Sequence, residues 1–473
     1  MDVIRTYVSP SRQGGPAGPR GKAAVSDGSH ASGPGNLVTE FLQWKIILFV
    51  AICASPTADY DTSTVLLFEL SDRVHGPAAS LRWLLERVAV KFTRWDAIYF
   101  TSASARGHIY EQEWAFSWAF SKLSSFVARV LLLPLPLDPT VKHAIAGILI
   151  SNTAHLLSVI VLYYLVKELL PSPSQRGSRL ASTAALLHVV SPGGVFLSAP
   201  YGESAFALLN FLGMLTYSWA TKMRYSTIAD AGVIDAFWTI ISGVFFGLAG
   251  LIRGNALLSG SIFVLDALSY LPQLPKALTN ATDITRLAGI AIAGLLTGIG
   301  FALPQYVAYQ EYCTGDEQRP WCSSMPPSIY TFVQREYWDV GFLRYWTLNN
   351  LPLFFLALPM LMLLSLSDRE ANAAIRVFRT TLTRFAVPQL MLAVMALTSF
   401  HVQIINRISS GYPLWYLLVA VTVHAASGPT TRHGSGWSVL GKFGRTQAEW
   451  LARGIIVYAL VQAGLYANFL PPA

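Results

Sequence analysis

Charge is scarce in this chain: Asp, Glu, Lys and Arg together make up 13% of 473 residues, whereas 53% are hydrophobic. Soluble domains carry about 25% charged residues, so an ordinary water-soluble protein is excluded, and so is a disordered chain. Cysteine is almost missing, with three residues in all, which rules out a disulfide-built scaffold and a cysteine-rich metal module. The first polar loop is read as offering no paired Asp-x-Asp metal motif, and no divalent metal requirement is expected. The extreme N-terminus holds no apolar run, so the first spanning helix, rather than a cleaved signal peptide, is expected to target the chain. No internal repeat is visible, which argues against a transporter built from two related halves.

What is present is apolar sequence in long runs, with a mean hydropathy of +0.44 and 12% aromatic residues. Eleven stretches approach the roughly 20 mostly apolar residues that a spanning helix needs. They lie near 42–58, 143–166, 181–199, 204–220, 234–252, 255–271, 287–308, 348–366, 385–400, 409–426 and 453–470. The expected architecture is an all-α polytopic membrane protein preceded by a disordered tail over 1–36, which is rich in Gly, Ser and Pro.

Basic residues set the expected orientation, because cytosolic loops hold the excess of Lys and Arg. Lys167, Arg176 and Arg179, then Lys222 and Arg224, then Arg369, Arg376, Arg379 and Arg384, then Arg432, Lys442 and Arg445 follow the even-numbered segments. With eleven alternating helices the N-terminus is then cytosolic, and the formal charge of +8 marks topology rather than nucleic-acid binding. The sequon Asn280-Ala281-Thr282 falls on the cytosolic side and is expected to stay unused.

The same alternation gathers five polar clusters on the opposite face: Arg94 to Glu113, the turn Ala199 to Ser204, Ile252 to Asn255, the loop over 309–347, and His401 to Arg407. Ionisable groups at a membrane surface are costly and mark functional candidates. The first large loop, over 59–140, also contains amphipathic stretches at Leu81 to Val90 and Trp114 to Leu133 that suit interfacial helices. An Asp at the interface can accept a proton from a hydroxyl, and an Arg can hold a phosphate by forked hydrogen bonds. Trp and Tyr give flat surfaces for sugar rings and are also common interface residues. For each residue a structural reading stands beside this one. Arg94 and Asp96 can form a solvated turn, Glu203 can serve the positive end of a helix dipole, and Arg253 can snorkel. Glu111 and Glu113 cannot share one helix face. Cys313 and Cys322 lie in the loop assigned to the oxidising side and are a candidate disulfide, while Cys53 reads as packing.

Six strings in order carry a resemblance: RWDAIYF from Arg94, YEQEWAF from Tyr110, SPGGVFLSAPYGESAFA from Ser191, RGN from Arg253, RPWC from Arg319 and HVQIINR from His401. They resemble the GPI mannosyltransferase 2 family, known in animals as PIG-V. The resemblance implies a GT-C type glycosyltransferase of the endoplasmic reticulum membrane. Such an enzyme transfers the second mannose, in α1,6 linkage, from dolichyl-phosphate mannose to the GPI precursor lipid on the lumenal side, with no cofactor. It implies that Asp96 is the catalytic base, and the expected substrate-binding set is Arg94, Trp95, Glu111, Glu113, Tyr201, Glu203, Arg253, His401, Gln403 and Arg407. A small membrane partner subunit is a further expectation, and nucleic acid is not. The alternatives left open are another dolichol-phosphate-sugar-dependent transferase and, as a non-enzyme, a lipid transporter or flippase.

Overall fold

The computed structural model describes residues 34–55, 60–68, 77–170, 175–228, 230–315, 318–371, 376–425 and 445–470. Most of the expected tail over 1–36, together with Arg432 and Lys442, lies outside them. Among the described residues there is no strand; the chain folds into helices joined by short 3-10 turns. In chain order the helices of the first half are α1 (Pro34–Cys53), α2 (Ser63–Leu67), α3 (Pro77–Phe92), α4 (Asp96–Arg106), α5 (Trp118–Val130), α6 (Pro139–Leu169), α7 (Gln175–Val189), α8 (Glu203–Arg224) and α9 (Ala231–Ile252). Those of the second half are α10 (Ser261–Tyr270), α11 (Leu274–Ala277), α12 (Ala281–Cys313), α13 (Ile329–Glu336), α14 (Leu351–Ala371), α15 (Arg376–Thr398), α16 (Ile405–Ile408), α17 (Leu414–Ala425) and α18 (Arg445–Ala467).

Local chemistry starts these helices where the sequence supplies a cap. Asp138 accepts from the N–H groups of Thr140 and Val141, with Pro139 at the first helical position of α6. Ser117 caps α5 by accepting from the N–H of Phe120, and Asn280 caps α12 through Thr282. The sequon asparagine is therefore a helix cap.

Among the described residues, eight helical stretches are long and apolar enough to cross a membrane, which makes the chain a multi-pass membrane protein. They do not reproduce the count of eleven. The expected segments at 181–199, 204–220 and 409–426 do not qualify: α7 has 15 residues and α17 has 12, while α8 has 22 but carries many polar ones. The physical reason for α8 is position: Asn210, Thr216, Tyr217, Ser218 and Thr221 are buried against protein, so the helix is an interior element that lipid does not select for apolarity. The loop expected over 309–347 begins later, because α12 continues to Cys313.

Small residues bring α9 and α12 together. A Cβ on Gly243 would strike Ala293, one on Gly247 would strike Leu296, and one on Gly300 would strike the backbone of Gly247. In lipid, where apolar surface gains little by leaving tails for protein, such close backbone approach is what holds helices together.

Two charged networks mark the two ends of α8, which at 1.5 Å per residue is about 33 Å long. At its C-terminal end Asp266 receives Arg224 at 2.8 Å, Arg384 at 2.8 Å and the Tyr217 hydroxyl at 2.9 Å. Asp235 beside it pairs with Arg224 and Arg286 at 3.2 and 3.0 Å. Both carboxylates are buried and satisfied, which is the condition for charges to persist away from water. The other end holds the candidate site.

Candidate active site

Asp96 is the first residue of α4. The residue before it, Trp95, has φ +54° and ψ −128°, a conformation that side chains other than glycine rarely adopt and that costs about 1–3 kcal/mol. The cost is borne by the packing around it. Arg94 is fully buried, its guanidinium 5.2 Å from the ring centre of Phe469. Its carbonyl accepts from the Tyr201 hydroxyl at 3.1 Å, and its N–H donates to the Tyr466 hydroxyl at 3.2 Å. The Trp95 ring lies 5.3 Å from that of Phe469, itself at φ +61°.

From Asp96 a line of alternating charges runs across the bundle end. Arg407 Nη2 donates to Asp96 Oδ2 at 2.8 Å. Arg407 Nε lies 3.3 Å from Glu203 Oε1, and Arg253 Nη1 approaches the same oxygen at 2.6 Å. Glu203 is sealed at 1% exposure, while the side chains of Arg407, Arg253 and Asp96 keep 18%, 20% and 30% of theirs. The carboxylate at the centre is therefore structural glue for two arginines that reach the open side. Arg407 also stands over the rings of Phe196 and Tyr201, at 5.1 and 5.5 Å, which fixes its direction by cation–π contact.

Sequence position explains why these four meet. Glu203 opens α8, Arg253 ends α9 in extended backbone, and Arg407 sits in the one-turn helix α16 between α15 and α17. Each stands at a helix terminus, at the same end of the bundle. Gly202 permits the approach, since a Cβ there would come within 3.0 Å of Ile252.

The remaining expected site residues build walls rather than joining the charge line. Glu113 is buried and fully engaged: Arg106 grips both oxygens, and the N–H groups of Ile109 and Tyr110 donate to Oε2 at 2.8 and 3.1 Å. Glu111 accepts from Trp321 Nε1 at 2.9 Å and from the Tyr337 hydroxyl at 3.2 Å, tying the first loop to the one after α12. A separate small core of Trp114, Ala308, Trp321, Ile329 and Val333 packs beneath that junction, and Cys313 and Cys322 are joined beside it as a disulfide with Cα atoms 5.5 Å apart. His401 Nε2 donates to the Trp338 carbonyl at 3.0 Å and stacks on Tyr345, whose hydroxyl donates to Gln403 Oε1 at 3.0 Å. An aromatic row links this wall back to α4: Trp338 meets Phe116 at 5.3 Å, and Phe116 stacks on Tyr99 at 4.7 Å.

Tyr466 and Phe469 lie in apolar surroundings without a polar motif, so their part is visible only after folding, and Phe196, inside the string from Ser191, carries no mark of its own as the ring beneath Arg407. One reading also needs correction. The first loop does open on an Asp-x-Asp string, Asp59-Tyr60-Asp61. Asp59 lies outside the described residues, and Asp61 Oδ1 accepts from the N–H and hydroxyl of Ser63 at the start of α2.

Comparison with known proteins follows the same residues. The chain is 38% identical to GPI mannosyltransferase 2 of Aspergillus oryzae over 93% of its length and 95% of the relative's. It is 39% identical to GPI mannosyltransferase 2 of Chaetomium globosum over 92% and 96%, and 30% identical to that of Schizosaccharomyces pombe over 92% and 84%. Among solved structures, the Archaeoglobus fulgidus oligosaccharyltransferase aligns with a TM-score of 0.45 at 13% identity, covering 92% of this chain and 56% of that one. Residues 37–371 match the family model for mannosyltransferase (PIG-V), and this chain belongs to that family.

Proposed function

We propose that the chain is a GPI mannosyltransferase of GT-C type that adds the second mannose, in α1,6 linkage, to the GPI precursor, using dolichyl-phosphate mannose as donor. The observation that carries the reading is the line Asp96, Arg407, Glu203, Arg253 at one end of a spanning bundle, in a chain whose relatives bear that name. A base for a sugar hydroxyl and cations for a phosphate stand within one side-chain length of each other.

In the proposed step the 6-hydroxyl oxygen of the acceptor mannose attacks the anomeric carbon of the donor. The new C–O bond forms as the bond from that carbon to the phosphate oxygen breaks, and the bonding pair leaves with dolichyl phosphate. Asp96 takes the hydroxyl proton. Negative charge thus moves from Asp96 to the phosphate, so Arg407, which pairs with Asp96 at rest, gains a second anion to hold as the first is neutralised. Such a prearranged cation stabilises developing charge without reorganising. Inversion at carbon follows from the single displacement.

The site end is proposed to face the lumen of the endoplasmic reticulum and the Arg224, Arg286 and Arg384 end the cytosol, in line with the distribution of basic residues. Independence from divalent metal and from any cofactor is proposed as well, because the carboxylates around Asp96 are taken up by arginines; transfer that disappears with EDTA and returns with Mn²⁺ or Mg²⁺ refutes it. A small membrane subunit is proposed as partner, with the wall between Glu111 and Tyr337 left for the acceptor.

Expression in cells lacking the second GPI mannosyltransferase tests the assignment. Precursors with two or more mannoses should reappear; a well-expressed protein that leaves only the single-mannose lipid, with or without the host's partner subunit, contradicts it.

A further inference from the structure

We infer that the C-terminal end of α18 is a clamp for the catalytic turn and that Tyr466 is a positioning residue for Asp96. The inference rests on the reading of Asp96 as the base. The Tyr466 hydroxyl is fully buried and lies 2.8 Å from the Phe92 carbonyl, to which it donates, while it accepts from the Arg94 N–H at 3.2 Å. It therefore ties the last residue of α3, Phe92, to Arg94 in the three-residue link, 93–95, that leads to α4. Around this hydroxyl the clamp is continuous. Lys91 Nζ donates to the Ala467 carbonyl at 3.3 Å, the Tyr60 N–H donates to the Asn468 carbonyl at 3.2 Å, and the Ser55 hydroxyl donates to Asn468 Oδ1 at 2.7 Å. Phe469 closes it by covering Arg94 and Trp95.

The turn needs such a clamp. Trp95 is held at φ +54°, and a residue so placed relaxes unless its neighbours over-determine it. Relaxation at Trp95 rotates the first turn of α4, which carries Asp96 at its first position. A base displaced by about 1 Å from its target costs about 100-fold in rate. Tyr201, donating to the Arg94 carbonyl from α8's approach, braces the same turn from the other side, but it also carries the ring beneath Arg407. Tyr466 touches no member of the charge line itself: its ring packs on Phe196 at 5.6 Å and Tyr201 at 6.2 Å, the rings beneath Arg407, whereas its hydroxyl reaches Asp96 through the backbone of residues 92–94.

Tyr466→Phe keeps the ring and removes the hydroxyl. In detergent, with a short-chain polyprenyl-phosphate mannose as donor and a GPI-precursor acceptor, kcat per folded enzyme should fall about 10- to 100-fold. KM for both substrates should stay unchanged. Ser55→Ala is the matched control, because it removes a tie to Asn468 without touching residues 92–95. Both variants should lower the melting temperature, and only Tyr466→Phe should lower kcat. Equal kcat in the two variants, or a loss confined to the amount of folded protein, overturns the inference. Asp96→Asn measured alongside separates it from the proposed chemistry. Full activity there overturns the base and the clamp together, whereas an inactive Asp96→Asn with a fully active Tyr466→Phe overturns the clamp alone.

Discussion

Replacing Glu203 by Gln keeps the shape of the side chain and removes only its charge, which isolates what that charge does. Glu203 is 1% exposed and lies within 2.6 Å of Arg253 and 3.3 Å of Arg407. Unit charges about 4 Å apart at an effective dielectric near 20 attract by about 4 kcal/mol. Removing one partner of a buried pair leaves the other uncompensated, at a typical cost of about 3–5 kcal/mol. The arginines here keep 20% and 18% exposure, so water recovers part of the loss, and we expect about 3 kcal/mol. Arg253 has Glu203 as its carboxylate, whereas Arg407 retains Asp96. The variant should thus draw Arg407 more tightly onto Asp96 and weaken the base as well as the fold. Thermal unfolding in detergent reads the first effect, and kcat for mannosyl transfer reads the second. Both should fall for Glu203→Gln and fall less for Glu203→Asp, which keeps the charge at a longer distance. The double variant Glu203→Gln with Arg253→Gln should regain part of the lost stability, because it removes both charges of one pair. Wild-type melting and turnover in Glu203→Gln would refute the idea that charge pairing organises this site.

Two further outcomes follow from the walls. His108, buried against Trp114 at 4.9 Å, has its pKa pulled down to about 4 by burial, from an ordinary value near 6.5. Unfolding lets it bind a proton below about pH 6.5. Its contribution is therefore complete above that pH and is lost as pH falls toward 4, amounting to about 2 kcal/mol by pH 5. Melting curves of His108→Gln should accordingly depend less on pH between 7 and 5 than those of the unmodified protein, and equal slopes contradict the assignment. For the Cys313–Cys322 disulfide, which spans nine positions, loop closure is worth about 2.7 kcal/mol. Cys313→Ser should lower the melting temperature and loosen the contact of Trp321 with Glu111, read as faster proteolysis after Arg319; unchanged proteolysis argues that the local core alone holds the loop.

Much of this arrangement was legible in the sequence because charge in an apolar chain must gather where helices end. Asp96, Glu203, Arg253 and Arg407 stood out as polar breaks between long apolar runs, and alternation of the runs placed them at one end. The same logic brought Arg224 and Arg384 to the other end, where they share Asp266. What could not be read was which of the polar residues touch one another. Glu111 and Glu113 sit two apart and have unrelated duties, one linking loops and the other capping a turn. Apolarity stops reporting position at α8, which is rich in Ser, Thr and Asn because its neighbours are protein, and among the described residues eight stretches rather than eleven have the length and apolarity of a span. Tyr466 acts through backbone contacts, and Phe469 through the Arg94 and Trp95 side chains, with residues more than 370 positions away, and no local pattern carries that pairing.

The most direct test of the account is Asp96→Asn, expressed in cells that lack the second GPI mannosyltransferase, with lipid precursors resolved by mannose number. Asn preserves the volume and the donor contact from Arg407 but cannot take the hydroxyl proton. The account predicts normal expression, a smaller fall in melting temperature than for Glu203→Gln because Asp96 is 30% exposed and Arg407 keeps Glu203, and accumulation of the single-mannose precursor. Full conversion to lipids with two or more mannoses by Asp96→Asn would contradict it, and would move the base to another carboxylate.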